Sequence, residues 1–149
     1  MSKMPTTTKT TSRTRRQVQY VTFFVGVLAV DQLTKFFSPT FVLNTGISFA
    51  LLSEIVVGPV LFVFLALGAW VSWRWLRVPA WSHAVFWAAA FSNVLDRFVF
   101  GGVRDIWKLP FVPLRNNFAD WVIALVALYW MWYLYRQENV EEIDVTKDA

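Results

Sequence analysis

The sequence predicts an all-α integral membrane protein: four transmembrane helices, with a small extracytoplasmic β platform between helices 1 and 2. Composition is the first reason. Of 149 residues, 56% are hydrophobic and only 16% are charged, whereas a soluble domain carries about 25% charged residues to face water. Lipid accepts an apolar exterior, so a bilayer removes the shortage. The second reason is a set of four apolar runs separated by charged or Pro/Gly-rich stretches. The third is the placement of the basic residues.

The elements follow in order. Residues 1–16 are rich in Thr, Lys and Arg and read as a disordered basic cytoplasmic tail. The first apolar run, Val18 to Val30, continues past Asp31 to Phe37. No small-residue cleavage site follows it, so it reads as a retained helix rather than a secretory leader. Phe41 to Leu52 is short, lies between Pro39 and Glu54, and contains Asn44-Thr45-Gly46, which suggests strand and turn outside the lipid. Ile55 to Trp73 carries no charge and is about long enough to cross a bilayer. Pro79 opens a third run that reaches about Val94 and is closed by Asp96 and Arg97. Gly101 to Asn117 reads as a polar and aromatic loop, and Ala119 to Tyr135 as the fourth span. Residues 17–136 then form the membrane domain, and 137–149 an acidic cytoplasmic tail.

With four spans and both termini inside, nine basic residues fall on the inner side and five on the outer. That bias places both termini in the cytoplasm. Trp70, Trp73, Trp75 and Trp81 join Trp130, Trp132, Tyr133 and Tyr135 as an inner aromatic belt, with Trp107 and Trp121 at the outer side. A basic arm beside an apolar run sets membrane orientation, so nucleic acid is not the expected partner.

The chain has no cysteine and one histidine, His83. Disulfides and thiolate metal sites are excluded, and no metal or other cofactor is expected. Chemistry falls to carboxylates, hydroxyls or lysine. Five acids lie between residues 17 and 136: Asp31, Glu54, Asp96, Asp105 and Asp120. All map to the outer half or the outer loops. Coupled transporters place carboxylates near the midplane, whereas an enzyme using water at the membrane surface places them as here.

Each acid has a purely structural alternative. Asp31 and Lys35 are spaced for an ion pair on one helix face. Asp96 beside Arg97 suits a polar anchor at a helix end. Asp105 suits a turn, and Asn44 with Gly46 a turn needing positive φ. Asp120 or Asn117 suits the cap of helix four.

Taken together, the motifs point further. Asp31-Gln32-Leu33-Thr34-Lys35, Asn44-Thr45-Gly46-Ile47-Ser48-Phe49, Asn93-Val94-Leu95-Asp96-Arg97, Gly102-Val103-Arg104-Asp105 and Asn117-Phe118-Ala119-Asp120 occur in that order across residues 18–136. This series resembles that of lipoprotein signal peptidase, signal peptidase II. The resemblance implies a bacterial inner-membrane aspartyl endopeptidase that removes signal peptides from prolipoproteins, cutting before a cysteine that already carries a diacylglyceryl group. It implies an extracytoplasmic active site with Asp105 and Asp120 as the catalytic pair. Asn44, Asn93, Asn117, Arg97, Asp96, Asp31 and Lys35 are implied as binding or supporting residues. Lipid-modified prolipoproteins and membrane lipid are the implied partners, and cyclic peptide antibiotics the implied inhibitors. Where the family has glycines before the Asn-x-x-Asp-Arg motif, this chain has Ala89 and Ser92; where it has Phe before Asn-x-Ala-Asp, this chain has Asn116.

Two carboxylates sharing one proton can hydrolyse an amide without metal, serine or cysteine. Asp120, at a helix amino end, is expected to be the more basic-acting partner. Asp31, Lys35, Asp96 and Arg97 are expected to act as scaffold, with Lys35 and Arg97 either anchoring the outer ends of their helices or neutralising Asp31 and Asp96. The rival readings are a small proton-coupled transporter, which would depend on Asp31, and a non-enzymatic membrane scaffold.

Overall fold

The computed structural model describes residues 7–45, 54–110 and 114–147. Four helices make up most of them: α1 (Thr7–Phe37), α2 (Glu54–Trp75), α3 (Ala80–Phe100) and α4 (Phe118–Lys147). Four short strands lie between helices: β1 (Val42–Asn44), β2 (Val103–Asp105), β3 (Trp107–Lys108) and β4 (Arg115–Asn116). Thr14–Phe37 and Phe118–Glu138 are each long and apolar enough to cross a membrane, and Leu61–Trp75 is a shorter apolar stretch.

α3 is the hub, packing against α1, α2 and α4. Apart from Val94, its buried positions are small or polar: Ser82, His83, Ala84, Ala88, Ala89, Ser92, Asn93 and Asp96. Small side chains let helix backbones approach, which drives association where lipid removes the usual hydrophobic incentive. The burial pattern is that of a membrane bundle. Among the described residues, eleven polar or charged side chains are buried against eight apolar ones, while Phe, Trp, Leu and Val line the exterior. In water such a molecule would expose its apolar surface and hide its charges, which reverses the ordinary preference.

Several expected boundaries move. α1 starts at Thr7, so the second half of the arm expected to be disordered is helical. Lys, Arg and Gln propagate a helix readily once an adjoining apolar segment has nucleated it. α3 runs past Asp96 and Arg97 to Phe100. Asp96 does not end the helix because its charge is paired inside the protein. α4 likewise carries on beyond Tyr135 to Lys147, through most of the expected acidic tail.

The segment after α1 supplies one described strand, and its partner comes from after α3. β1 pairs antiparallel with β2, setting Val42 opposite Asp105, Leu43 opposite Arg104 and Asn44 opposite Val103. Asn44 is thus a strand residue rather than a turn residue, while Gly46 to Phe49 lie outside the described residues. The expected Gly101–Asn117 loop contains three short strands, β2, β3 and β4. β3 pairs with β4, Trp107 opposite Asn116, and the Ile106 N–H donates to the Asn116 carbonyl at 3.1 Å. This hairpin returns the chain to α4 close to where Asp105 left it.

Two adjacent glycines make the turn from α3 to β2 possible. Gly101 caps α3 in the left-handed region (φ 74°), its N–H donating to the Arg97 carbonyl, which glycine does without steric cost. Gly102 serves a different need: a Cβ there would lie 2.9 Å from Leu43 Cγ and 3.0 Å from the Asn44 carbonyl oxygen. Gly101→Ala is expected to lower unfolding stability by about 1 kcal/mol. Gly102→Ala should cost more, because strand β1 has to move to admit the methyl. Thermal unfolding of both variants in detergent checks the order.

Candidate active site

Asp105 ends β2 and Asp120 lies in the first turn of α4, and Asn117 joins them. The Asn117 side-chain amide donates to Asp105 Oδ1 at 2.9 Å. Its backbone N–H donates to Asp120 Oδ2 at 3.1 Å, and its Oδ1 accepts the Asp120 N–H at 3.1 Å. The last two bonds form a reciprocal capping box at the start of α4. The sequence offered Asn117 or Asp120 as the cap; they cap each other.

The remaining carboxylate oxygens are held by two other asparagines. Asn44 Nδ2 donates to Asp105 Oδ2 at 2.8 Å, and Asn93 Nδ2 donates to Asp120 Oδ1 at 2.8 Å. Asp105 and Asp120 therefore each accept two bonds from neutral N–H groups. The expected difference in basicity between them has no counterpart in their hydrogen bonding. Asp105 is buried and Asp120 half-buried.

Below this pair lies a buried ionic network. Lys35 Nζ reaches Asp31 Oδ2 at 2.6 Å and Asp96 Oδ2 at 3.0 Å, and donates to Asn93 Oδ1 at 3.0 Å. Arg104 Nη2 meets Asp96 Oδ1 at 2.7 Å and Gln32 Oε1 at 2.6 Å. The Arg104 N–H adds a bond to Asp96 Oδ2 at 3.1 Å. Ser92 Oγ donates to Asp31 Oδ2 at 2.6 Å, and Gln32 Nε2 donates to Ser92 Oγ at 2.8 Å and Asp96 Oδ1 at 3.0 Å. Two acids and two bases thus balance, and the carboxylates are extensively hydrogen-bonded, as buried charges require.

The network also touches the two aspartates. By engaging Asn93 Oδ1, Lys35 fixes which end of that amide faces Asp120. Asp31 Oδ1 accepts the Ala119 N–H at 2.8 Å, satisfying another free donor at the start of α4. α1 therefore holds α4 in register with α3.

One expected partner changes. Asp96 is neutralised by Lys35 and Arg104 and not by Arg97, because residues adjacent on a helix point in different directions. Arg97 instead bonds its own helix at the Asn93 carbonyl, 3.1 Å. It is half-buried, and the charges of Asp120, Asp105 and Asp96 act on it. Among the described residues, no three His, Asp or Glu side chains converge as a metal-binding group would need.

A model of the family described as signal peptidase (SPase) II matches residues 6–136. The chain belongs to that family. Relatives in the same family include the lipoprotein signal peptidase of Campylobacter jejuni subsp. doylei, 28% identical over 147 residues, covering 80% of this chain and 89% of that protein. Lipoprotein signal peptidase of Wolinella succinogenes is 36% identical over a shorter stretch of 58 residues, 38% of this chain and 40% of that protein. Among solved structures, a bacterial membrane enzyme determined by the in meso method at 2.3 Å has the same fold, with a TM-score of 0.58 at 16% identity. The match covers 80% of this chain and 88% of that one.

Within this signal peptidase II frame, the residues that sequence reasoning passed over are Arg104, Gln32 and Ser92. Gln32 and Arg104 stood inside the quoted motifs, but only as spacers between acids. Ser92 lies just before the Asn93 motif, and its hydroxyl bonds Asp31.

Proposed function

We propose that the chain is a membrane-embedded aspartyl endopeptidase that removes signal peptides from prolipoproteins, cutting before a cysteine already carrying diacylglyceryl. The single observation behind the catalytic assignment is that Asn117 bonds both Asp105 and Asp120. Two carboxylates brought together cannot both ionise easily, so the pair retains one proton. Water held between them gives a proton to the ionised carboxylate as its oxygen attacks the scissile carbonyl. The protonated partner donates to the carbonyl oxygen. Collapse of the tetrahedral intermediate breaks the C–N bond: the amine leaves with the proton taken from water, a hydroxyl of the intermediate returns its proton to the other carboxylate as the product C=O forms, and the pair is again singly protonated.

Four membrane spans with both termini cytoplasmic put this pair at the extracytoplasmic side of a bacterial inner membrane. The basic-residue bias and the aromatic belts support that orientation. Strands β1 and β2 form the platform against which an extended substrate lies. Asn44, Asn93 and Asn117 hold the pair and serve substrate binding, Arg97 supports the site as scaffold, and cyclic peptides that mimic the extended substrate are candidate inhibitors. The transporter reading has less support, because the Asp31 carboxylate is occupied by Lys35, Ser92 and the Ala119 N–H.

The test is cleavage by the purified protein in nanodiscs of one prolipoprotein peptide, with and without diacylglyceryl on its cysteine. The modified peptide is expected to be cut on the amino side of the cysteine and the unmodified one to survive. Equal cutting of both would sink the lipid requirement; no cutting of either would sink the protease reading.

A further inference from the structure

Far from Asp105 and Asp120, where α1 and α2 pass α3, lies a cavity of about 330 Å³ that the proposed chemistry leaves unused. Tyr20, Phe24, Ala69, Trp73 and Trp87 line it, with the buried His83. The size falls in the range of small-molecule sites, roughly 300–1,000 Å³. Its polar groups are largely committed to each other: Trp87 Nε1 donates to Ser72 Oγ at 3.0 Å, and His83 Nδ1 lies 3.4 Å from the same oxygen. An occupant therefore meets chiefly ring faces and methyl groups, which suits hydrocarbon.

The rim adds charge. Phe24 and Tyr20 share one face of α1, and the next turn of that face is Arg16, whose charge acts on Tyr20. Ala69 and Trp73 share a face of α2, and Arg77 follows two residues past the end of that helix. Arg74 adjoins Trp73, its guanidinium 5.9 Å from the centre of the Trp75 ring. All three arginines are exposed. The ion pairs among the described residues involve none of them.

We propose that this cavity holds an acyl chain of an anionic phospholipid whose phosphate rests on Arg16, Arg74 and Arg77. A signal helix is a poorer occupant, because its leading segment is positively charged and the rim repels it. The proposal rests on the reading of the chain as membrane-embedded, but not on the identity of the reaction.

Native mass spectrometry of the full chain, offered equal amounts of phosphatidylglycerol and phosphatidylcholine with identical acyl chains, tests it. A basic residue near an anionic surface contributes about fivefold to binding. The parent is expected to retain one phosphatidylglycerol with roughly 25-fold or greater preference, and the double variant Arg16→Gln/Arg77→Gln to fall to within a few-fold of parity. Brominated phosphatidylglycerol should quench tryptophan fluorescence in the parent, and less so after Trp73→Phe. Equal retention of the two lipids, a preference that survives both arginine changes, or a lipid-free dimer would each overturn the proposal. Cleavage is followed in parallel and is expected to persist in Arg16→Gln/Arg77→Gln. Loss of lipid preference with cleavage intact then bears on the cavity, and absence of cleavage in the parent bears on the proposed reaction.

Discussion

Asp105→Asn and Asp120→Asn are each expected to lower cleavage of the lipid-modified peptide by about 1,000-fold or more, because neither retains a pair able to take and return a proton. The double variant should be scarcely worse than either single, since the two groups act as a unit. The variants should differ in stability. In Asp120→Asn the new NH₂ faces a donor on either side, the Asn93 amide or the Asn117 N–H. Asn93 cannot turn to accommodate it without giving up Lys35. At Asp105 both donors are side-chain amides, which can turn, whereas one donor at Asp120 is a backbone N–H, which cannot. Asp105→Asn is therefore expected to be the more stable dead enzyme. Single-turnover rates beside thermal unfolding decide this, and a folded variant cutting within tenfold of the parent removes that residue from the pair.

Lys35→Met is expected to be the most destabilising single change in the bundle. It leaves Asp31 and Asp96 buried with Arg104 as their only cationic partner among the described residues. Removing one partner of a buried ion pair costs about 3–5 kcal/mol. Adding Asp31→Asn restores the balance of charge and should recover much of that loss. Activity should not recover with it, because Asn93 has lost the contact that orients its amide toward Asp120. Detergent-induced unfolding of the parent, both singles and the double gives the coupling energy. Strict additivity would show that the lysine and the aspartate act independently.

The helices and the five motifs were legible because lipid imposes a long apolar run on each span and because polar residues inside such runs are rare enough to stand out. Asp31 with Lys35 could be paired from spacing alone. What spacing does not carry is the direction a side chain takes across a helix interface. Asp96 looked like a partner for Arg97, its neighbour in sequence, and is held by Arg104, eight residues on and in a strand. Asn44 read as a turn residue because Asn-Thr-Gly favours turns, but β2 recruits it into a ladder formed only after α3 has folded back. The capping box at Asn117 and Asp120 was half visible, since either residue alone satisfies a helix start.

The ionic network has a consequence for how the protein is made. Chains emerge amino end first, so α1 meets the membrane before Asp96 and Arg104 have been synthesised. Asp31 and Lys35 each make insertion of a lone helix dearer, by less than the roughly 2.5–3.5 kcal/mol that a charge costs at the bilayer centre because both lie towards the outer end of α1. Lying one turn apart, they can shield each other while α1 waits. Their remaining ligands, Ser92, Asn93, Asp96 and the Ala119 N–H, arrive with α3 and α4. The first span is thus a provisional resident of the bilayer, its charges fully matched only when the last helix docks.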